Sequence, residues 1–409
     1  MLRQVAALAA FLALGQAGCR APGLGRPAAA TFADDVAFLK THSDVIVLSD
    51  KSGRGRVAVV PLYQGRVMTS SAAGPDGLSF GWINRSLIAS GKQLPQFNPL
   101  GGEERFWLGP EGGQFSIYFP KGASDKFEFK DWQVPEPIDW GAWEMTEKTP
   151  SSARFRKAFA LTNFSGTRLD VAAERTVRVL EPAQVKERFG VELPPGLSAV
   201  AYESENTIRN AGDKPWTRQT GALSIWILCM YNPSPATTVV IPYVEGPEEK
   251  LGPIVNDTYF GKVPPDRLRA RGGVIFFKCD GRQRGKIGLT PTRAKPIMGS
   301  YDAANNVLTL ATYTKPAGAM DYVNSMWEIQ KEPFRGDVVN SYNDGPTPAG
   351  PPLGPFYELE SSSPAAFLKP GESLRHVHRT LHIQGAEADL DGIARAALGV
   401  GLADIKAAF

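Results

Sequence analysis

The stretch that decides the fold reads FYELESSSPAAFLKPGESLRHVHRTLH, from Phe356 to His382. Two strand-like runs, Phe356–Glu360 and Leu374–His382, flank a turn segment carrying Pro364, Pro370 and Gly371. Proline fixes φ and removes a donor, and glycine opens left-handed turn geometry, so the middle interrupts the two extended flanks. Alternate side chains on a strand share a face. Glu358 and Glu360 therefore point one way together, and so do His376, His378 and His382.

Outward from this segment the same punctuation recurs. Val57–Leu62, Gln114–Phe119, Phe155–Thr162, Leu169–Leu180, Leu223–Met230, Thr237–Tyr243, Val274–Cys279 and Val307–Tyr313 are rich in β-branched or aromatic residues, with Gly, Pro, Asn and Asp between them. The 42 glycines and 33 prolines among 409 residues favour many turns over long helices. Three short helices are expected. Thr31-x-x-Asp34 forms a capping box for the first, with Phe32, Val36 and Leu39 on one face. The others are near Ala183–Phe189 and Asp389–Leu398, the latter with an apolar stripe of Leu390, Ile393, Ala394, Ala397 and Leu398. No internal repeat or linker stands out, so residues 31–409 read as one large all-β domain.

Residues 1–18 read as a signal peptide. Arg3 precedes an unbroken apolar run, Val5–Leu14, which is shorter than the ~20 residues a membrane helix needs but suits a secretory segment. Ala17-Gly18-Cys19 is similar to a bacterial lipoprotein signal, in which the cysteine is acylated; Gln16 stands where leucine is usual, which leaves processing by an ordinary signal peptidase as the alternative. Residues 19–30 then form a tether, and the expected location is periplasmic or at the outer membrane, held there by lipid on Cys19. The formal charge is +3, with 45 basic and 42 acidic residues and no long basic block, so nucleic acid is not an expected partner. Cys229 and Cys279 lie in apolar runs without zinc-site spacing and read either as buried thiols or as a bridge.

A strand ending in Leu359-Glu360, a short crossing, then Leu368-Lys369-Pro370-Gly371-Glu372 and a final strand resembles the C-terminal end of the galactose mutarotase-like family. The resemblance implies a large antiparallel β-sandwich over roughly residues 45 to 385 and a carbohydrate ligand. It also implies that Glu360 is the base acting on a sugar's anomeric hydroxyl. Asn84-Arg85 is similar to an Asn-Arg pair of aldose 1-epimerases, in which the arginine contacts substrate. Asn206-Thr207-Ile208-Arg209-Asn210-Ala211-Gly212 resembles the family's central strand. The family's acid histidine is missing there, since no histidine lies between His42 and His376.

The candidates follow. Glu360, Asp344 and His376 are candidate proton-transfer groups. Arg85, Arg105, Trp107, Glu111, Asn206 and His378 are candidate sugar contacts. Trp107 offers a flat face in the Gly-rich stretch Gly101–Gly113, and Arg105 and Glu111 can pair with hydroxyls; the same stretch also reads as a closed structural turn. Asn343-Asp344-Gly345 reads first as a turn, with Asp344 as a cleft acid the alternative. Glu358 and Glu360 could instead pair with Arg375 or Arg379. His-x-His can bind metal, but no second ligand cluster stands out, so neither metal nor other cofactor is expected. Three functions remain open: an epimerase-like enzyme, a glycan-binding lipoprotein without catalysis, and a glycan-cleaving enzyme with paired carboxylates.

Overall fold

The computed structural model describes residues 30–346 and 352–409. The strands in chain order are β1 (Ile46–Ser49), β2 (Arg56–Val60), β3 (Arg66–Ser71), β4 (Arg105–Gly109), β5 (Glu144–Lys148) and β6 (Ser152–Thr162). There follow β7 (Arg168–Leu180), β8 (Ser198–Asn210), β9 (Ser224–Tyr231), β10 (Thr237–Pro242), β11 (Leu268–Arg271) and β12 (Val274–Lys278). The last are β13 (Gly285–Leu289), β14 (Ile297–Asp302), β15 (Val307–Tyr313), β16 (Val339–Asn343), β17 (Tyr357–Ser362) and β18 (Ser373–Gln384).

These form three antiparallel sheets. A ten-stranded sheet has the order β11-β12-β10-β14-β15-β18-β8-β7-β6-β5, a five-stranded one β13-β16-β17-β9-β4, and a small one β1-β2-β3. The two larger sheets pack face to face, as an antiparallel sandwich requires. Tyr357 on β17 meets Ser300 on β14, and Cys229 on β9 meets His378 on β18. β17 and β9 are buried along nearly their whole length, because one face lies on the other sheet and the other lies under loops.

The outer face of the ten-stranded sheet is covered by helices. Pro182–Phe189 starts with proline in its first turn and stops at Gly190, whose φ of 72° suits the left-handed cap. Glu387–Leu398 buries Leu390, Ile393, Ala394 and Leu398 against Leu308, Leu310 and Leu381, the stripe that the spacing predicted. The first helix, Phe32–Lys40, carries the expected capping box. No helix among the described residues is long and apolar enough to cross a membrane.

Two expectations are corrected. Gln114–Phe119 is a loop, not a strand; its aromatic residues are apolar because they roof the five-stranded sheet, where Tyr118 donates to the Leu108 carbonyl at 2.8 Å. Within the Gly-rich stretch, Arg105–Gly109 is the edge strand β4, paired with β9 from Leu228 to Ser224.

Candidate functional site

The register of β17 sets the geometry. Glu358 and Glu360 point away from the sandwich interior, while Tyr357, Leu359 and Ser361 point into it. Glu360 is fully buried. Its Oε2 accepts from Trp226 Nε1 at 2.9 Å and from Lys286 Nζ at 3.0 Å, while Oε1 has no hydrogen-bond partner among the described residues. Glu358 accepts from Arg105 Nη2 at 2.9 Å, and the Arg105 guanidinium lies 4.2 Å from the Trp107 ring centroid. Burial, with Glu360 alongside, pushes Glu358 up to about 7 against the pull of Arg105 and Lys286. The carboxylates do not pair with Arg375 and Arg379, which instead reach Glu205 and Glu203 on β8.

Beside Glu360 lies a cavity lined by Glu111, Trp226, Tyr259, Lys286, Asp337 and Asn340, among others. Its volume is ≈ 20 Å³, against the ~10–15 Å³ that one water needs. That space is close to what one water occupies and far smaller than the roughly 300–1,000 Å³ of a small-molecule pocket. Burial raises Glu111, which keeps partial contact with solvent, and Glu360 adds to this while Lys286 opposes it. Burial works against the Lys286 ammonium, yet Glu360, Glu111 and Glu358 together outweigh it and push its pKa up. Three carboxyls thus surround one cation. Asp337 Oδ2 accepts from the Tyr259 hydroxyl at 2.6 Å and from Asn256 at 3.2 Å.

Arg105, Trp107 and Glu111 therefore come to the Glu360 side of the sheet. Trp107 is nevertheless no open platform. It is buried edge-on to Trp226 and Phe97, because the loop aromatics roof it. The remaining candidates lie elsewhere. Arg85 binds Asp35 at 2.6 Å and covers Phe38, tying together two helices, and Asn84 caps the helix that Arg85 opens. Asp344 accepts from the Tyr342 hydroxyl and the Gly354 N–H, both at 2.9 Å, and so ties the end of β16 to Gly354. Cys19 lies outside the described residues.

His376, His378 and Asn206 sit between the two sheets, on the far side of β17 from Glu360. Ser361 Oγ is 2.9 Å from a ring nitrogen of each histidine. Burial lowers His376 to about 3 and His378 well below the ordinary histidine value, so both imidazoles are neutral. Asn206 receives Arg175, which also pairs with the fully buried Glu104 at 2.6 Å. Glu104, Cys229 and His378 have ligand atoms within 4.8 Å of one another. A metal there would compete with the Arg175 guanidinium, and burial raises the Cys229 thiol well above its usual pKa, so the thiolate a metal prefers is disfavoured. Cys229 and Cys279 are free thiols.

Trp226, Tyr259, Lys286, Asp337 and Asn340 escaped the sequence reading. Lys286 carried one signal, a lone charge inside the strand Gly285–Leu289. The loop residues Tyr259 and Asp337 carried none.

Residues 30–409 match the Family of unknown function (DUF6786), and the chain belongs to it. No curated protein sequence matches. Among solved structures, the chain is similar to the Slr1438 protein of Synechocystis sp. PCC 6803 at 13% identity and TM-score 0.48, covering 84% of this chain and 96% of that one. It is also similar to a putative aldose 1-epimerase of Escherichia coli K12, at 12% identity and TM-score 0.47 over 84% and 99% of the two chains. A galactose mutarotase-like protein of Lactobacillus casei ATCC 334 aligns at 10% identity and TM-score 0.45 over 83% and 100%.

Proposed function

We propose that this chain is an exported saccharide-handling protein in which Glu360 takes the proton of a sugar's anomeric hydroxyl. The observation that carries the reading is Glu360 itself. It is a fully buried carboxylate with one oxygen held by Lys286 and Trp226, the other without a hydrogen-bond partner among the described residues, beside a cavity lined by Glu111 and Asp337. A buried carboxylate with a free oxygen, fixed by an ammonium and an indole, is preorganised to accept a proton. A protonated carboxyl can take the place of the missing histidine acid. A second reading, cleavage of a glycosidic bond, is favoured by one specific arrangement: Glu111 lines the cavity together with Lys286, the residue that holds Glu360.

The test is to incubate the purified protein with D-glucose, D-galactose, D-xylose and short oligosaccharides, following anomer exchange by proton NMR and release of reducing ends. Glu360→Gln is expected to lower the active rate at least ~100-fold. Glutamine keeps an acceptor for Trp226 and Lys286, and the variant's melting temperature is measured beside its rate to separate a lost fold from a lost base. New reducing ends with slow anomer exchange select the cleavage reading. A sugar that raises the melting temperature without turnover leaves a binding protein. Activity unchanged in Glu360→Gln would remove Glu360 from the site.

A further inference from the structure

We infer that Asp337, presented by Tyr259 and Asn340, is the proton donor to the sugar's ring oxygen. This rests on the proton-transfer reading above and names the acid that it lacks.

Position comes first. Asn340 on β16 is the direct cross-strand partner of Glu360 on β17. Its amide donates to the Tyr259 oxygen at 3.1 Å, and the Tyr259 hydroxyl donates to Asp337 Oδ2 at 2.6 Å. A continuous hydrogen-bonded chain therefore runs from the strand position beside the base to a second carboxyl. Asp337, Tyr259 and Asn340 line the same cavity as Lys286 and Trp226, the two groups that hold Glu360. The fold makes room for this cluster at Gly288 on β13. A Cβ there would lie 2.1 Å from Asp337 Oδ2 and 2.6 Å from the Asn340 amide nitrogen, so only glycine lets the backbone approach this closely.

Chemistry comes second. Both hydrogen bonds to Asp337, from Tyr259 and Asn256, fall on Oδ2, and among the described residues none involves Oδ1. Oδ1 is thus the oxygen left to carry and give a proton. Burial pushes Asp337 up to about 6, with the Tyr259 and Asn256 hydrogen bonds and the Lys286 charge opposing. The ionisable groups around the same cavity are Lys286 from β13, Glu360 from β17, Tyr259 from its loop and Glu111 from the loop after β4. In the step, the bond between C1 and the ring oxygen breaks and its electron pair goes to the ring oxygen, which takes the proton of Asp337. Glu360 takes the proton of the anomeric hydroxyl, and that O–H pair becomes the second bond of the aldehyde. Nothing is oxidised or reduced, and closure on either face of the aldehyde reverses both transfers.

The experiment measures anomer exchange of D-galactose and D-glucose from pH 4 to 9 for the wild type, Asp337→Asn and Tyr259→Phe. Alongside it, the Asp337 carboxyl is titrated by carbon NMR in protein carrying ¹³C-labelled aspartate. Asp337→Asn is expected to lose about 100-fold in turnover with the sugar dissociation constant nearly unchanged. Tyr259→Phe removes a donor to the carboxylate, so both the alkaline limb of the rate profile and the Asp337 titration move up, by about one unit. Full activity in Asp337→Asn, an unmoved alkaline limb in Tyr259→Phe, or an Asp337 carboxyl that titrates at an ordinary aspartate value overturns the assignment while sparing Glu360. A wild type that exchanges neither sugar, even as its Asp337 titrates high, overturns the proton-transfer reading and this role with it.

Discussion

Glu358 and Glu360 sit two residues apart on one strand and one face, yet meet different cations. Glu360 is fixed by Lys286, and Glu358 by Arg105 under the Trp107 ring. Glu358, raised to about 7 chiefly by burial, holds its proton more readily in the folded chain than in the unfolded one. Its contribution to stability is therefore fully present below the unfolded value of 4.5 and is lost as pH rises through 7. Asp337, raised to about 6, acts in the same direction over an overlapping range, and Glu111 and Asp344 are raised too. His376 and His378, whose lowered pKa keeps them neutral, act the other way and add stability as pH rises through the ordinary histidine value of 6.5. The carboxyl effect is therefore read as a difference: relative to Glu358→Gln, which keeps an acceptor for Arg105, wild-type stability in urea should fall from pH 5 to 7.5 by on the order of 2 kcal/mol. A difference that stays constant across that window would contradict the raised Glu358.

At the scale of elements, the sequence revealed strands, faces and helices, but not which sheet each strand joins. Tyr357–Ser362 and Ser373–Gln384 are strands as the alternation predicts, and the three histidines share a face as their spacing demands. Periodicity is silent on what that face meets. β17 enters the five-stranded sheet and β18 the ten-stranded one, so Ser361, not Glu360, touches His376 and His378. Glu360 was singled out through the resemblance of the segment ahead of the proline-marked crossing, although β17 runs two residues past it to Ser362. Lys286, Tyr259 and Asp337 were not, because their neighbourhood is made by chain segments far apart in sequence. The same holds for the interlayer network, where Arg175 on β7 pairs with Glu104 beside β4, both fully buried. Replacing one member of such a pair strands a charge in the interior, so Arg175→Met should destabilise the fold by ~3–5 kcal/mol. Adding Glu104→Gln should restore much of that loss. Denaturant curves of the two singles and the double variant decide it, and strictly additive losses would show that the two groups do not depend on each other.

At the scale of the whole molecule, the face of the five-stranded sheet that carries Glu360 and the helix-covered face of the ten-stranded sheet lie on opposite sides of the sandwich. The ten-stranded sheet is closed by the helices Pro182–Phe189, Glu387–Leu398 and Leu402–Lys406, whose apolar stripes are buried on it. No described helix suits a membrane span. We propose, from the sequence of Val5–Leu14 and Ala17-Gly18-Cys19 alone, that the chain carries a lipid at Cys19. One short acyl chain holds a protein to a bilayer only marginally, with an association constant of roughly 10⁴ M⁻¹, whereas two or more give stable attachment. Acylation at Cys19, as in the bacterial lipoproteins its signal is similar to, is expected to place nearly all of the protein in the membrane fraction of a bacterial host. Cys19→Ala should remove the acyl group and lower the membrane-bound share, with the unfolding curve of residues 30–409 unchanged. Mass spectrometry of the mature N-terminus is the direct measurement. An acylated Cys19 fits the anchor, while a free amino terminus beyond Cys19 would leave a secreted protein with no lipid attachment.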